Sequence, residues 1–333
     1  MGYAIKVKRK LLIFTIVIAA LLLPLSGCGR SASALTEQGF LLDTIVTVTF
    51  YRERDRAAVQ DALALCRDYE LVFSRTDSRS ELYRLNESDC MEVSDELLTV
   101  LQTGLDYWRA SGGKFDVTMG GVSALYDFTG AAPRVPESQA VAEAMRHVGY
   151  GHVSVDGRTV TIDDPDTVID LGAIAKGFIA DEMKAFLRES GVKHAILSLG
   201  GNVLTLGGKP DGSDFKVGIR YPEKDSTRLA TAVSAAESSV VTSGVYERFF
   251  VEDGVTYHHI LDTATGLPLH NGLLAVSVVG PCSMDCDALS TACFALGLAD
   301  GLALIEGLDG YEAVFITEDQ ALHPSSGFAA LEK

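Results

Sequence analysis

The 333-residue sequence is short of basic residues and of paired cysteines, and both shortages restrict its function. It has 28 Lys and Arg residues against 45 Asp and Glu residues, which gives a net charge of −17. Such an acidic chain repels nucleic acid, so we exclude a nucleic-acid partner. Five cysteines remain besides Cys28, and an odd number cannot all pair. Because Cys282 and Cys286 have no second pair at a zinc-site spacing, buried thiols or a local disulfide are favoured over a thiolate metal site.

The sequence also lacks internal repeats, a Pro/Ser-rich linker and the common nucleotide-binding glycine motifs. Without a linker, residues 37–333 are predicted to form a single α+β domain, with mixed sheets and helices in two lobes around a central cleft. The glycines of residues 170–177 do not follow the Walker A order, and β-type sequence, not a helix, follows residues 199–202. Each segment therefore has two possible interpretations, as a structural turn or as a ligand-binding segment.

The N-terminus has the features of a bacterial lipoprotein signal peptide. Basic residues between positions 6 and 10 precede an apolar run at 11–23, which is short for a membrane-spanning helix. Leu-Ser-Gly then precedes Cys28, as in a lipobox, where the cysteine is lipidated and becomes the mature N-terminus. We predict a signal peptide at 1–27 and a lipidated tether at 28–36, with an ordinary signal sequence or a membrane anchor as alternatives. Cleavage would remove four basic residues and change the net charge from −17 to −21.

Hydrophobic periodicity predicts a mixture of strands and helices along the rest of the chain. Helical spacing occurs at residues 56–71, 95–108, 137–147, 174–190, 284–298 and 300–307. Strand patterns occur at residues 40–51, 194–199, 203–207, 215–221, 230–241, 273–279 and 311–316, and hairpins are predicted at 156–157 and 253–254. A Gly-rich, aromatic-bearing loop at 111–136 has a length that is commonly functional.

The strand at 273–279 leads into a helix that carries Asp287, Ser290 and Thr291. Asp287 and Thr291 are four residues apart, so they lie on one face of the helix with Ser290 beside them. Oxygen ligands on a rigid helix suit a hard cation such as Mg²⁺. Polar residues in a first helical turn also act as caps, which is the alternative interpretation.

Two further segments place ionisable side chains at the ends of predicted elements. Residues 168–177 are typical of a strand ending in Asp170, a turn, and a helix with Lys176 in its first turn. Free amides and an ammonium group at such a helix start can hold a phosphate. In the hairpin at 246–261, alternation places His258 and His259 on opposite faces, so one histidine can face a site while its neighbour is solvated. A structural hydrogen bond is the alternative role for either ring.

Five ordered blocks of this sequence resemble the ApbE family, the FAD:protein FMN transferases. They are D-L-G-x-I-A-K-G at 170–177, L-G-G-N at 199–202, T-S-G-x-Y-E-R at 242–248, H-H-I-L-D-x-x-T-G at 258–266 and D-A-L-S-T at 287–291. The resemblance spans about residues 37–318. It implies an extracytoplasmic, membrane-anchored enzyme that binds FAD in the central cleft, transfers its FMN half to a Thr hydroxyl of an acceptor flavoprotein and releases AMP.

The resemblance also implies which residues form the site. It assigns a Mg²⁺ ion to Asp287, Ser290, Thr291 and the backbone carbonyl of Ala173. It assigns the FAD contacts to Leu42, Thr76, Tyr126, Asp127, Phe128, Asp170, Lys176 and Ile260. Thr76 is a departure, because an aromatic residue often occupies that position in the family. The attacking hydroxyl needs a base within hydrogen-bond reach, and His259 with Asp262 close by in sequence is the first choice.

Two other functions would use the same residues. A metal-dependent FAD pyrophosphatase would use water as the nucleophile and would yield AMP and free FMN. A lipid-anchored flavin-binding protein without catalysis would need the aromatic loop but not Asp287, Thr291 or His259. For the transferase, the resemblance implies that the acceptor is a subunit of a membrane redox complex or a protein with an FMN-binding domain.

Overall fold

The computed structural model describes residues 33–128, 130, 132–223 and 227–332. The chain from Ser33 onward belongs to one compact unit. The predicted signal peptide, the start of the tether and the lipidation site Cys28 lie outside the described residues. The first strand begins at Leu35, two residues inside the segment that we predicted to be tether.

The described residues contain helices and strands in mixed order. The α-helices are α1 (Arg56–Phe73), α2 (Glu81–Asn86), α3 (Asp95–Ala110), α4 (Gly120–Tyr126), α5 (Ser138–Ala144), α6 (Ala175–Glu189), α7 (Ser283–Leu296) and α8 (Leu298–Glu306). Short 3₁₀ helices occur at Glu53–Asp55, Met145–His147, Tyr150–His152 and Phe328–Ala330. No helix in this part of the chain has the length and hydrophobicity of a membrane span.

The described strands form one large antiparallel sheet and three small ones. They are β1 (Leu35–Leu41), β2 (Thr44–Phe50), β3 (Cys90–Glu92), β4 (Val153–Asp156), β5 (Thr159–Ile162), β6 (Ala195–Leu199), β7 (Asn202–Leu206), β8 (Phe215–Arg220), β9 (Leu229–Ala235), β10 (Ser239–Gly244), β11 (Phe249–Glu252), β12 (Val255–His258), β13 (Leu273–Gly280), β14 (Glu312–Thr317) and β15 (Leu322–Pro324). The large sheet has the order β1-β2-β6-β7-β10-β13-β14-β15. The predicted α+β class is confirmed.

Strand β13 is apolar except for Ser277 because both of its faces are covered. Val276 and Val278 pack in a cluster with Leu289 and Phe294 of α7. Ala275 and Val279 point to the opposite face, where they belong to a cluster that includes the apolar residues of β8 and β9. Burial on both faces removes the polar alternation expected of a half-exposed strand. β13 therefore fixes α7 firmly against the sheet.

Two segments that we predicted to be single strands are divided by turns. Residues 40–51 form the hairpin of β1 and β2, whose turn residues Leu42 and Asp43 have φ angles of 54° and 55°. Residues 230–241 divide into β9 and β10 beside Glu237, which has a φ of 60°. Left-handed backbone favours Gly or Asn, so neither turn carries a recognisable sequence signal. The predicted loop at 111–136 also contains the short helix α4.

Four apolar clusters form the core of the described residues. The largest surrounds α1, α3, α6 and β6. The second lies between β13 and α7, the third on the other side of β13, and the fourth between α4 and α5. The cysteines at 66, 90, 282, 286 and 293 are free thiols. Of the two alternatives that we predicted for Cys282 and Cys286, a local disulfide is therefore wrong, and Cys286 is the predicted buried thiol.

Candidate active site

A cavity of about 1430 Å³ opens between the four apolar clusters, each of which contributes residues to its wall. Pockets for drug-sized ligands commonly occupy about 300–1,000 Å³. This cavity therefore has room for a ligand of dinucleotide size, and it is the central cleft that the sequence predicts.

The start of α6 and the first turns of α7 meet at one corner of the cavity. The buried carboxylate of Asp287 accepts a 2.9 Å hydrogen bond from the backbone N–H of Gly177. The Nζ atom of Lys176 lies 3.5 Å from the same carboxylate oxygen and donates to the carbonyl of Gly172 at 2.8 Å. The corner thus combines a carboxylate, an ammonium group and a helix N-terminus, the groups that bind cations and phosphates.

The close approach of these two helices depends on Gly177. A Cβ atom at this position would lie 2.3 Å from the carbonyl oxygen of Ser283 and 2.6 Å from Cα of Met284, both in the backbone of α7. A side chain here would push the helices apart, because backbone atoms cannot rotate away from it. Gly177 therefore sets the distance between Lys176 and Asp287.

We expect Gly177→Ala to lower the free energy of unfolding by about 1–3 kcal/mol, the usual cost of overpacking. Catalytic activity should fall as well, because Lys176 moves relative to Asp287. Gly121→Ala in α4 is a matched control, since its Cβ would meet only atoms at 3.8 Å. Urea unfolding of both variants measures the difference. Equal stability of the two variants would contradict this account of the helix contact.

Three hydroxyl groups lie next to Asp287. The Oγ of Ser243 on β10 lies 2.7 Å from Oγ of Ser290 and 3.0 Å from Oγ1 of Thr291. Ser290 also donates to the backbone carbonyl of Asp287 at 2.9 Å and is fully buried behind the wall. Ser243, Asp287 and Thr291 line the cavity, whereas Ser290 supports them from behind. We did not predict Ser243, because its place beside α7 depends on a strand distant in sequence.

The two adjacent histidines have different surroundings. His258 is buried, bonds the carbonyl of Leu269 through Nε2 at 3.1 Å and contacts Phe294 edge-on. His259 lines the cavity, and its Nδ1 has no hydrogen-bond partner among the described residues. The alternation that we predicted is confirmed, but the neighbour of His259 lies in the core instead of in solvent.

The imidazole of His259 is neutral over the physiological pH range. Enclosure of the ring by protein, followed by the positive charge of Arg248, lowers the pKa of His259 to about 3. A neutral ring can accept a proton without first losing one. The ring is therefore in the protonation state that a general base needs.

Most of the residues predicted to contact FAD line the cavity. Asp170 pairs with Arg75 at 3.1 Å between Oδ2 and Nε, and its Oδ1 accepts from the N–H of Gly172. The other predicted residues on the wall are Thr76, Asp127, Phe128, Lys176 and Ile260, together with Ala173 from the metal set. Phe250, which we did not predict, extends the aromatic surface at 5.8 Å from the ring of Phe128.

All five sequence blocks that resembled one family contribute residues to this single cavity. The ApbE family model matches residues 42–315, which is most of the chain. The chain belongs to the ApbE family.

Relatives of the chain match over most of their lengths. The chain is 34% identical to the FAD:protein FMN transferase of Treponema pallidum, over 93% of this chain and 92% of that one. Among solved structures, the ApbE protein of Thermotoga maritima superposes with a TM-score of 0.83 at 29% identity and covers 90% of this chain and 100% of its own. The flavin transferase ApbE of Vibrio cholerae superposes with a TM-score of 0.82 at 26% identity and covers 90% of this chain and 99% of its own.

Leu42 and Tyr126 do not lie on the wall of the cavity. Leu42 occupies the β1–β2 turn, where its N–H donates to Glu70, while its neighbour Asp43 lines the cavity. Tyr126 is buried beneath Phe128, with ring centroids 5.0 Å apart, and its hydroxyl donates to the carbonyl of Gly266. Both residues support a wall that adjacent side chains form.

Asp262 is likewise set apart from His259 by its local contacts. Its carboxylate accepts hydrogen bonds from the N–H of Ala264 at 3.1 Å and the hydroxyl of Thr265 at 3.3 Å, and lies 3.4 Å from Nζ of Lys114. These contacts stabilise the turn that follows β12. They do not include the imidazole of His259, so the catalytic assignment of Asp262 stays a prediction.

We expect Asp262→Ala to act mainly through this turn. The loss of charge-assisted hydrogen bonds should lower the free energy of unfolding by about 1–2 kcal/mol. Catalytic rate in the folded fraction should fall less than in His259→Ala. Thermal unfolding and rate measurements on the same samples separate the two effects, and a rate loss as large as that of His259→Ala would restore Asp262 to the catalytic set.

Glu247 is a cavity residue whose role we did not predict. It follows β10 within the T-S-G-x-Y-E-R block and lines the cavity. Burial by the surrounding protein raises the pKa of its carboxyl group. The positive charge of Lys176 opposes this rise, and the negative charge of Asp287 adds to it. The raised pKa favours the neutral form of Glu247, which can then donate a hydrogen bond into the cavity or take up a proton there.

The donor groups at this corner fit a hard divalent cation. Asp287 offers a carboxylate oxygen and Thr291 a hydroxyl, and both line the cavity beside Ala173. The ammonium group of Lys176 already lies against Asp287, which shows that the carboxylate attracts positive charge here. Oxygen donors of this kind suit Mg²⁺ better than zinc.

Proposed function

We propose that this protein transfers the FMN half of FAD to a Thr hydroxyl of an acceptor flavoprotein and releases AMP, in a reaction that requires Mg²⁺. The supporting observation is that one cavity of dinucleotide size contains both the Asp287 corner and the neutral ring of His259. Membership of the ApbE family and relatives described as FAD:protein FMN transferases support the same reaction.

The chemistry requires one bond to form and one to break. The Thr Oγ bonds to the phosphorus of the FMN half, the bond from that phosphorus to the bridging oxygen breaks, and AMP leaves with that oxygen. The hydroxyl proton passes to the imidazole of His259, which is neutral and open to the cavity. Lys176 and the first turn of α6 hold the phosphate groups and offset their charge.

Asp287 and Thr291, with the carbonyl of Ala173, would hold the Mg²⁺ ion. When bound, the ion neutralises charge on the pyrophosphate oxygens and so lowers the barrier to transfer. The hydroxyl of Ser243, which also contacts Ser290, lies 3.0 Å from that of Thr291 and would hold it in place as a ligand. The aromatic wall that includes Phe128 and Phe250 offers a surface on which a flavin or adenine ring stacks.

We also propose that the protein acts outside the cytoplasm, anchored to a bacterial membrane by a lipid on Cys28. The signal sequence and lipobox support this location. An anchored enzyme would meet acceptors at the same surface, such as subunits of membrane redox complexes or proteins with FMN-binding domains. The target Thr would enter the cavity on an extended segment.

The test is to incubate the purified protein with FAD, Mg²⁺ and a candidate acceptor, and to weigh proteins and small products by mass spectrometry. We expect an acceptor heavier by one FMN moiety, with one AMP for each modified acceptor. An acceptor whose target Thr is replaced by Ala should stay unmodified.

Two other outcomes would replace the proposal. AMP and free FMN with every acceptor unmodified would identify a metal-dependent FAD pyrophosphatase, with water as the nucleophile. Tight FAD binding without any AMP would identify a flavin-binding lipoprotein.

A further inference from the structure

A second cluster of potential metal ligands lies outside the cavity, between the end of α5 and the turn that follows β5. His147 Nδ1 lies 2.8 Å from Oδ2 of Asp164, and His147 Nε2 lies 3.8 Å from Oδ2 of Asp166. One ligand atom from each of these three residues lies within 4.8 Å of the others. The ApbE site residues described above do not include any of them.

Glu143 adds a further carboxylate on the same side of the ring. It precedes His147 by four residues, and its Oε1 lies 3.9 Å from His147 Nε2. His147 Nε2 therefore faces two carboxylates, from Glu143 and Asp166, at distances too long for hydrogen bonds. The opposite nitrogen of the ring is already bonded to Asp164.

Hydrogen bonds hold the two segments of the cluster together. The hydroxyl of Thr167 donates to the carbonyl of His147 at 2.7 Å, and the N–H of Asp163 donates to the carbonyl of His152 at 3.0 Å. Within the turn, the N–H of Asp166 donates to the carboxylate of Asp164 at 3.0 Å. The segment at 147–152 is thus tied to the turn at 163–167 by one side-chain and one main-chain hydrogen bond.

We propose that His147, Asp164 and Asp166 bind a divalent transition-metal ion of the zinc type. Metal-binding histidines usually have a carboxylate beside the ring that orients it, and Glu143, with Oε1 3.9 Å from His147 Nε2, lies where it can do so. Two carboxylates and one imidazole, with an open position for water, form a zinc ligand set.

Small side-chain movements would complete the coordination. Ligand atoms around a tetrahedral zinc ion lie roughly 3.3–3.6 Å apart, given zinc bonds of about 2.0–2.2 Å. One ligand atom from each of His147, Asp164 and Asp166 lies within 4.8 Å of the other two. The side chain of Asp166 is 74% exposed, so it can move toward the other two ligands.

The ion would join His147, just after α5, to the segment that leads into the active site. Thr167 is followed by Val168, which bridges to Met119 at the start of α4, and by Asp170 on the cavity wall. Zinc bound to the folded protein but not to the unfolded chain raises the melting temperature. We therefore expect zinc to stabilise this wall, independently of the flavin reaction.

The experiment measures zinc binding in the untagged Asp287→Ala protein with saturating Mg²⁺. The substitution removes the cavity ligand Asp287, so that the cavity does not compete for zinc. Equilibrium dialysis with metal analysis should find one zinc ion per chain at micromolar free Zn²⁺, and the melting temperature should rise with it. Asp166→Asn should weaken binding by about 10-fold or more, and His147→Gln should abolish it. His323→Gln, which changes a histidine outside the cluster, is the matched control and should bind normally.

Asp166→Asn is the decisive variant if His147→Gln does not fold, because the carboxylate of Asp166 is exposed and its backbone hydrogen bond is kept. An unchanged melting temperature without zinc shows that it is folded. Zinc binding that is equal in Asp166→Asn, His323→Gln and the parent would overturn the proposal and point to the thiols instead. Absence of binding in the parent at micromolar zinc would overturn it as well.

Discussion

Replacement of Asp287 by alanine should abolish transfer, with a loss of roughly 10³-fold or more in rate. Asp287 is the buried carboxylate at the corner where α6 and α7 meet, and it lines the cavity with Thr291. Its removal takes away the charged ligand that a Mg²⁺ ion needs and leaves Lys176 without its acidic partner. Hydroxyl and carbonyl oxygens alone bind Mg²⁺ weakly, because the ion gives up its water only for strong oxygen ligands.

Asp287→Asn separates the charge of this residue from its structural contact. The amide oxygen can still accept from the N–H of Gly177, so the helix contact should survive, while the negative charge is lost. We expect this variant to fold and to lose about 10²-fold or more in rate. Asp300→Asn on the exposed side of α8 removes the same kind of charge outside the cavity and should keep full activity.

Removal of the metal provides an independent measurement. The wild-type protein treated with a chelator should lose transfer and recover it when Mg²⁺ is restored. Full turnover in chelated protein, or an Asp287→Ala rate within tenfold of wild type, would show that the corner serves only to join the helices.

The sequence predicts this corner well because its geometry is local to one helix. The four-residue spacing of Asp287 and Thr291 places both on the face that lines the cavity, as the structure shows. Ser290 shares that predicted face but its hydroxyl bonds Ser243, a residue on β10. Contacts between distant segments of the chain leave no periodic signal, so neither the partner nor the direction of Ser290 can be predicted from spacing.

Turns without Gly or Asn account for most of the missed structure. The β1–β2 turn has Leu42 and Asp43 in left-handed conformations, and Asp127 at the end of α4 has a φ of 54°. Tertiary contacts impose these conformations against the local preference. Because we missed the first turn, we placed Leu42 on the cavity wall. Because we missed the end of α4, we placed this helix and its buried residue Tyr126 in a loop.

His259→Ala should lower the rate of transfer by about 10²- to 10⁴-fold, the usual contribution of a general base. The ring is the neutral imidazole on the cavity wall, and alanine leaves only water to accept the hydroxyl proton. FAD binding should change little, because the Asp287 corner and the aromatic wall remain. The rate of transfer and the quenching of FAD fluorescence on binding are measured on the same protein. The transfer should stop while the quenching is retained, and His323→Ala is the control.

The pH profile tests the same role with a defined sign. A solvent-exposed histidine loses its proton near pH 6.5, whereas enclosure by protein lowers the pKa of His259 to about 3. The base should therefore stay unprotonated, and the acid limb of kcat/KM due to this ring should lie well below pH 6.5. An acid limb at pH 6.5 that persists in His259→Ala would assign it to another group.

The same shift in pKa makes stability depend on pH. Between about pH 6.5 and pH 3 the unfolded chain protonates His259 while the folded protein does not, so the unfolded state binds more protons. His258 acts in the same direction, since burial lowers its pKa to about 4. The free energy of unfolding should thus fall as the pH falls through this window. His259→Ala should flatten that dependence in urea titrations at pH 7 and pH 5, and an unchanged slope would mean that the ring has the same pKa in the folded protein as in the unfolded chain.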